Sequence, residues 1–187
     1  MDGAGGWCNI WLMPVTMADL DAMPAAGFLA AMGDVFEHSP WVMEAVVGMR
    51  PFGTVRRLHE AAMGVVREAG VAAQEALLRA HPELGGVDAT GGLTRESGFE
   101  QGRLGFDGMG ESERAALVGL NAAYRARFGY PAIVALARHA RRESVMEAIR
   151  MRLGAENGVE RARSLDEVGH VTRARLEAWS GGCLRGV

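Results

Sequence analysis

Residues 54–70 read TVRRLHEAAMGVVREAG, and this stretch shows the pattern that decides the fold. Its apolar residues recur three or four positions apart, as one buried face of a helix requires. They are Val55, Leu58, Ala62, Val65 and Val66. Thr54 is suited to cap the start of the helix, and Gly70 is placed to end it. The stretch therefore predicts an amphipathic helix.

The same succession of a start signal, apolar periodicity and a stop signal recurs along the chain. It predicts a helix that begins after Thr94 and further helices over residues 24–37, 41–49, 72–80, 112–129, 142–153 and 158–179. No stretch alternates apolar and polar residues as a half-buried strand does. We therefore predict an all-α, single-domain, compact bundle of about eight helices. The predicted domain covers residues 17–187, and residues 1–16 are predicted to form a poorly ordered N-terminal extension.

The composition is typical of a globular protein with one core. The chain has 187 residues, of which 49% are hydrophobic and 23% charged. Its net charge of -3 argues against nucleic acid or an anionic membrane as a partner. No run approaches the ~20 apolar residues of a membrane span, and the first positions lack the features of a secretion signal. We therefore expect a cytoplasmic protein.

The basic residues restrict the chemistry that the chain can perform. All 20 of them are arginine, since the chain contains no lysine. This excludes Schiff-base chemistry, anchoring of pyridoxal phosphate and a P-loop, each of which needs a lysine amine. Cys8 and Cys183 lie near opposite ends without the spacing of metal ligands, which argues against structural zinc or a disulfide framework. We therefore expect any catalysis to be acid–base chemistry without a metal or organic cofactor.

His81 is the first candidate for such chemistry. Because Pro82 disfavours the helical conformation of the residue before it, the preceding helix should stop near Ala80 and leave the imidazole at its rim rather than buried. Histidine titrates near neutral pH and is suited to proton transfer. The alternative is a surface or capping role.

A second candidate group lies on one helix face. Ser97, Glu100 and Gln101 are spaced at i, i+3 and i+4, so their side chains share a face and offer donors and acceptors for a small polar ligand. The alternative is a face that only contacts solvent. The arginines of the last predicted helix are expected to form a solvated face: Arg161, Arg163, Arg173 and Arg175.

Five motifs follow one another on separate predicted elements. They are Phe36-Glu37-His38-Ser39-Pro40-Trp41, Arg50-Pro51-Phe52, Ala80-His81-Pro82-Glu83-Leu84, Ser97-x-x-Glu100-Gln101, and NAAYRARFGYP at residues 121–131. In this order they resemble the 2-oxo-4-hydroxy-4-carboxy-5-ureidoimidazoline (OHCU) decarboxylase family of urate catabolism. The resemblance spans residues 19–176, and five ordered motifs are far more specific than any single one.

The resemblance implies a function and a set of site residues. It implies an all-α domain, commonly a homodimer, that converts OHCU to (S)-allantoin and carbon dioxide without a cofactor in purine degradation; we expect a bacterial enzyme. His81 matches the family's acid–base histidine, and Glu100 is expected to orient a substrate N–H or the imidazole, while Gln101 and Ser97 fix the ureido arm. The substrate-binding positions fall on Pro82, Ser97, Gly98, Phe99, Glu100, Gln101, Ala132, Ile133, Val134, Ala135 and Leu136.

Two positions depart from the family pattern. Ala132 stands where the family usually has phenylalanine, and Leu104-Gly105-Phe106 replaces the usual Ala-Gly-Leu. The smaller side chain at Ala132 is expected to enlarge the pocket. These departures motivate an alternative, a catalytically impaired helical module that binds purine derivatives. A third alternative is a helical protein-interaction domain, which a large distance between His81 and Glu100 would favour.

Overall fold

The computed structural model describes residues 16–85 and 95–180, and within these ranges the chain is helical without a strand. The helices are α1 Met17–Ala22, α2 Ala25–Met32, α3 Trp41–Val46, α4 Val55–Glu68, α5 Val71–Arg79, α6 Arg95–Arg103, α7 Glu111–Phe128, α8 Arg142–Arg152 and α9 Asn157–Ser180. This confirms the all-α fold, with α1 as a helix that the sequence analysis did not predict. The N-terminal extension stays a prediction, because residues 1–15 lie outside the described ranges.

Local signals set several helix ends as predicted. The hydroxyl of Thr54 accepts a hydrogen bond from the Arg57 amide at 3.2 Å and so caps α4. Gly129 ends α7 in the left-handed conformation, at φ 81°, which suits glycine because it lacks a β-carbon. The predicted cap at Thr94 falls outside the described residues.

Other predicted helices end differently. The helix predicted over 24–37 stops at Met32 and continues as the 3-10 turn Gly33–Val35, and the helix predicted over 41–49 likewise passes into the 3-10 turn Val47–Met49. Gly70 does not end α4. The C-cap of α4 is Ala69, and Gly70 is the N-cap of α5. Each difference lies at a helix end, where the last turn is least constrained.

The core forms around α4, which packs against α3 on one side and α9 on the other. Three of the five apolar residues predicted for the buried face of α4 are buried, namely Leu58, Ala62 and Val66, and Met63 joins them. Val55 and Val65 are half-buried. Gly169 lets α9 approach closely, because a β-carbon at this position would lie 3.3 Å from Cε of Met63. The inward face of helix α9 is buried along much of its length. No described helix is both long enough and apolar enough to cross a membrane.

The segment at 132–136 lies between α7 and α8, has no regular helix before Leu136 and is nevertheless buried. Side chains from three helices bind its backbone. Arg152 donates to the Ile133 carbonyl at 2.7 Å, the Ala135 amide donates to Glu167 at 2.7 Å, and Arg103 donates to the Leu136 carbonyl. These bonds satisfy backbone groups that would otherwise be buried without partners, and they fix the position of the segment.

Arg152 is itself part of a buried polar cluster behind this segment. Its side chain is 4% exposed and pairs with Glu160, which is fully buried, at 2.6 Å. It also donates to the hydroxyl groups of Tyr124 and Ser164 at 3.1 Å each. Because every partner comes from another part of α7, α8 or α9, the cluster ties these helices together at the back of the pocket wall.

Candidate active site

A pocket opens where the end of α5, one face of α6, the segment 132–136 and α9 meet. Among its lining residues are His81, Ser97, Glu100 and Arg175, with apolar side chains opposite them. Each of these four comes from a position fixed by its helix: His81 follows α5, Ser97 and Glu100 share a face of α6, and Arg175 lies on the inward face of α9. The arrangement places one imidazole, one hydroxyl, one carboxylate and one guanidinium around the same space.

The imidazole of His81 is 7% exposed and has a defined orientation. Its Nδ1 lies 3.0 Å from the carbonyl oxygen of Leu77. A carbonyl oxygen only accepts hydrogen bonds, so Nδ1 carries the proton and Nε2 carries a lone pair. Within the described residues, Nε2 has no hydrogen-bond partner. Burial lowers the pKa of His81 to about 4, against the opposing effects of the Leu77 bond and the nearby Glu37 carboxylate. The imidazole is therefore uncharged at neutral pH.

Arg175 is the centre of a buried ionic cluster. It binds Glu100 through two bonds, Nε to Oε1 at 3.1 Å and Nη2 to Oε2 at 3.2 Å. Its Nη2 also donates to Glu37 Oε1 at 2.8 Å and to Ser97 Oγ at 3.0 Å. Burial alone lowers the pKa of Arg175, but Glu100 and Glu37 outweigh it, so the net shift is upward and the guanidinium stays charged.

Gln101 connects α6 to the segment after His81. Its Oε1 accepts from the Gly85 amide at 2.8 Å, and its Nε2 donates to the Glu83 carbonyl at 3.3 Å. Asn121 of α7 adds a bond to the Leu84 carbonyl at 2.9 Å. These bonds hold the segment against the helices and close the pocket on the side of His81.

The described residues contain no group of three histidine, cysteine, aspartate or glutamate side chains that could hold a metal ion.

Comparison with known proteins places this chain in a family. The sequence model described as OHCU decarboxylase matches residues 21–177. The chain belongs to the OHCU decarboxylase family. The family resemblance drawn from the five motifs is thereby confirmed.

Two of the following three relatives match this chain over nearly their whole length. One is the 2-oxo-4-hydroxy-4-carboxy-5-ureidoimidazoline decarboxylase of Haloferax volcanii, 32% identical over 87% of this chain and 94% of the relative. A second is the putative protein of the same name from Homo sapiens, 34% identical over 84% of this chain and 91% of the relative. A third, the uric acid degradation bifunctional protein PucL of Bacillus subtilis, is 31% identical, but the matched part is only 32% of that protein.

Two solved structures share the fold of this OHCU decarboxylase family member. A crystal structure of (S)-allantoin synthase superposes with a TM-score of 0.70 at 27% identity and covers 88% of this chain and 54% of that chain. A crystal structure of OHCU decarboxylase in the presence of (S)-allantoin superposes with a TM-score of 0.64, covering 81% of this chain and 98% of that chain. At 18% identity, the second likeness concerns the fold alone.

The structure brings most residues of the predicted family site to one pocket. They are His81, Pro82, Ser97, Glu100, Gln101, Ala132, Ile133, Val134 and Leu136. Three others do not line it. Phe99 is 72% exposed on the outer side of α6, Gly98 also lies outside the pocket, and Ala135 contributes its amide to Glu167 instead.

Two expectations about this family member were wrong. The imidazole of His81 is buried rather than placed at an open rim, because Gln101 and Asn121 fold the following segment over it. Arg175 does not belong to a solvated face, since it is 5% exposed and binds two carboxylates, those of Glu37 and Glu100. Arg163 and Arg173 are exposed as expected, and Arg161 is half-buried.

The sequence carried a signal for Arg175. It lies seven positions after Val168 and three after Thr172, which places it on the same buried stripe of α9. A charged residue on an otherwise buried stripe needs a partner, and that requirement singles it out from the other arginines of the helix.

Proposed function

We propose that this member of the OHCU decarboxylase family decarboxylates OHCU to (S)-allantoin and carbon dioxide in urate degradation. The observation that supports it most directly is that an uncharged, buried imidazole and a buried guanidinium open onto one pocket, namely His81 and Arg175. The first suits proton transfer, and the second suits a substrate carboxylate.

The chemistry of the substrate defines what the protein has to supply. One ring carbon of OHCU carries the carboxylate and a hydroxyl group, and the neighbouring carbon carries the ureido group and a C=N bond. When carbon dioxide leaves, its bonding electron pair moves into the ring, and the C=N nitrogen accepts the displaced pair and a proton from solvent. The hydroxyl proton must then leave while the ureido-bearing carbon gains a proton on one face. A single base that takes the first proton and returns it to that carbon meets both needs.

His81 has the properties of this base. Its Nε2 carries the lone pair, since Nδ1 is committed to Leu77, and its low pKa keeps it unprotonated before the reaction. In our proposal Nε2 takes the hydroxyl proton and delivers it to the ring carbon. Delivery from one fixed direction yields one enantiomer of allantoin.

Arg175 and Glu100 divide the task of orienting the substrate. The planar guanidinium of Arg175 binds the leaving carboxylate. The Glu100 carboxylate, whose side chain is 26% exposed, then accepts from a ring or ureido N–H. Ser97 adds a hydroxyl beside them, while Gln101 and Pro82 maintain the segment that carries His81. The apolar wall at 132–136 keeps water from the reacting atoms, which strengthens these interactions.

A stereochemical assay tests the proposal. OHCU generated enzymatically decays slowly by itself to racemic allantoin, so circular dichroism at an allantoin band should show a faster reaction and a single enantiomer when the protein is added. If the reaction with protein proceeds at the uncatalysed rate and gives racemic allantoin, the protein is not a decarboxylase. That outcome would favour the catalytically impaired module that only binds purine derivatives.

We also propose that the protein assembles as a homodimer, as the family resemblance implies. In this proposal a second copy covers exposed apolar surface, and the ring of Phe99 on α6, which is 72% exposed, is one candidate for the contact. Light scattering after size exclusion should give about twice the 20.0 kDa of one chain. A single-chain mass at the concentration of the assay would contradict the dimer.

A further inference from the structure

Glu37 is a buried carboxylate that stands behind the pocket rather than in it. The residue is fully buried and does not line the pocket. Its Oε1 accepts from Nη2 of Arg175 at 2.8 Å and from the hydroxyl group of Ser97. It therefore contacts two pocket residues from the side that substrate does not reach.

The backbone around Glu37 is shaped to deliver this carboxylate. The next residue, His38, adopts the left-handed conformation at φ 46°, which residues with a β-carbon rarely adopt, and the Ser39 amide closes the turn onto the Phe36 carbonyl at 2.7 Å. A conformation of this kind persists where the surrounding structure requires it, and such positions cluster at functional sites. Here the turn lies between α2 and α3 and directs Glu37 toward α9.

The two carboxylates on Arg175 differ in their access to solvent. The Glu37 side chain is 1% exposed and that of Glu100 is 26% exposed. Glu100 lines the pocket, so its two bonds to the guanidinium occupy the edge that a substrate carboxylate would use. Glu100 can therefore give up its bonds to Arg175 when a substrate carboxylate binds there. Glu37, which is buried behind the guanidinium, keeps its bond to Arg175.

We propose that Glu37 is a positioning residue, which holds the Arg175 guanidinium and the Ser97 hydroxyl from behind while Glu100 yields its bonds on Arg175 to the carboxylate of the substrate. This inference rests on the proposed decarboxylase function. Without Glu37, Glu100 is the remaining carboxylate partner of the guanidinium among the described residues, and the guanidinium relaxes toward it. The substrate must then compete for a guanidinium that no longer has a fixed position.

The direction in which KM changes shows whether Glu37 holds Arg175 in position or acts only through its negative charge. Glu37→Gln keeps the size of the side chain and removes its negative charge. Loss of a negative charge near an anionic substrate should by itself strengthen binding and lower KM. If the Arg175 guanidinium instead loses its fixed position, KM rises. We expect an increase of about tenfold or more, as for loss of a hydrogen bond to a charged group.

A double-mutant cycle with Arg175→Lys tests whether Glu37 acts through Arg175. Lysine keeps the positive charge but cannot bind Glu37, Glu100 and a carboxylate as a planar fork. We expect each single variant to lower kcat/KM, and the double variant to be within about twofold of Arg175→Lys alone, because coupled residues are not additive. Glu37→Asp keeps the negative charge, so its KM should rise less than that of Glu37→Gln. If Glu37→Gln fails to fold, Glu37→Asp takes its place in the cycle.

Glu113→Gln is the matched control. Glu113 pairs with Arg142 at 2.9 Å, and neither residue lines the pocket, so this variant also removes one carboxylate from an arginine and should keep the KM of the unaltered protein. An unchanged or lowered KM in Glu37→Gln, or multiplicative losses in the cycle, would overturn the positioning role while decarboxylation stands. Absence of turnover by the unaltered protein would overturn both proposals.

Discussion

Nδ1 of His81 lies 3.0 Å from the carbonyl oxygen of Leu77, four residues earlier in the chain. The last turn of α5 thus provides the acceptor that fixes the imidazole tautomer, without any side chain of the pocket. It leaves the lone pair on Nε2, the atom to which we assign the proton transfer in our proposal. Glu100, which the sequence analysis considered as a partner of the imidazole, binds Arg175 instead.

Replacement of the imidazole should abolish most turnover. General acid–base participation is worth about 10²- to 10⁴-fold, so we expect His81→Asn to lower kcat by about that factor. The helical circular dichroism spectrum should remain, because the helices around α4 and α9 do not depend on this side chain. The control is His59→Asn: His59 is a half-buried histidine that binds the Gly169 carbonyl at 2.8 Å outside the pocket, and this variant should keep kcat. Near-normal turnover by His81→Asn would rule out the proposed base.

The buried imidazole also makes stability depend on pH. Its pKa falls from the ordinary 6.5 to about 4 on folding, so the unfolded chain binds the proton more readily. The stability that depends on uncharged His81 is complete above pH 6.5 and is lost as the pH falls toward 4. We expect the free energy of unfolding to decrease by about 2 kcal/mol more in the unaltered protein than in His81→Asn between pH 7 and pH 5. Urea denaturation of both proteins at the two pH values measures this, and parallel pH profiles would contradict it.

The features of the fold and of the site that follow from sequence are the local ones. The cap at Thr54, the end of α7 at Gly129 and the shared face of Ser97 and Glu100 depend on residues within about one turn of each other, so spacing alone predicts them.

The remaining parts depend on contacts between distant positions. Arg175 and Glu37 are 138 positions apart, and only the packing of α9 against the turn after α2 brings them together. The burial of His81 similarly requires Gln101 and Asn121, which come from two later helices. Periodicity indicates which face of a helix is buried, but it does not identify what that face meets.

The amide of Gln101 should matter for the position of His81 rather than for binding directly. Gln101→Leu removes the partners of the Gly85 amide and the Glu83 carbonyl and loosens the segment after His81. We expect faster hydrogen exchange at the Gly85 amide and a kcat/KM lowered by about tenfold, as for loss of a buried hydrogen bond.

Gln74→Leu is the matched control for this change. Gln74 of α5 also donates to backbone carbonyls, those of Val66 and Arg67 at 3.1 and 3.2 Å. These carbonyls lie at the end of α4, outside the pocket lining. It should lower stability without changing exchange at Gly85. Normal exchange at Gly85 in Gln101→Leu would contradict the supporting role.

Replacement of Arg152 should strongly destabilise the fold. Arg152→Met leaves Glu160 fully buried without its buried cationic partner and removes the donor to the Ile133 carbonyl. Breaking a buried ion pair from one side typically costs about 3–5 kcal/mol, and we expect a loss of that size in the free energy of unfolding from urea denaturation. The double variant Arg152→Met with Glu160→Leu removes both charges, so it should regain part of this stability, while the pocket wall still lacks its bond at Ile133. If the double variant were as unstable as the sum of two independent losses, the buried charge would not be the cause.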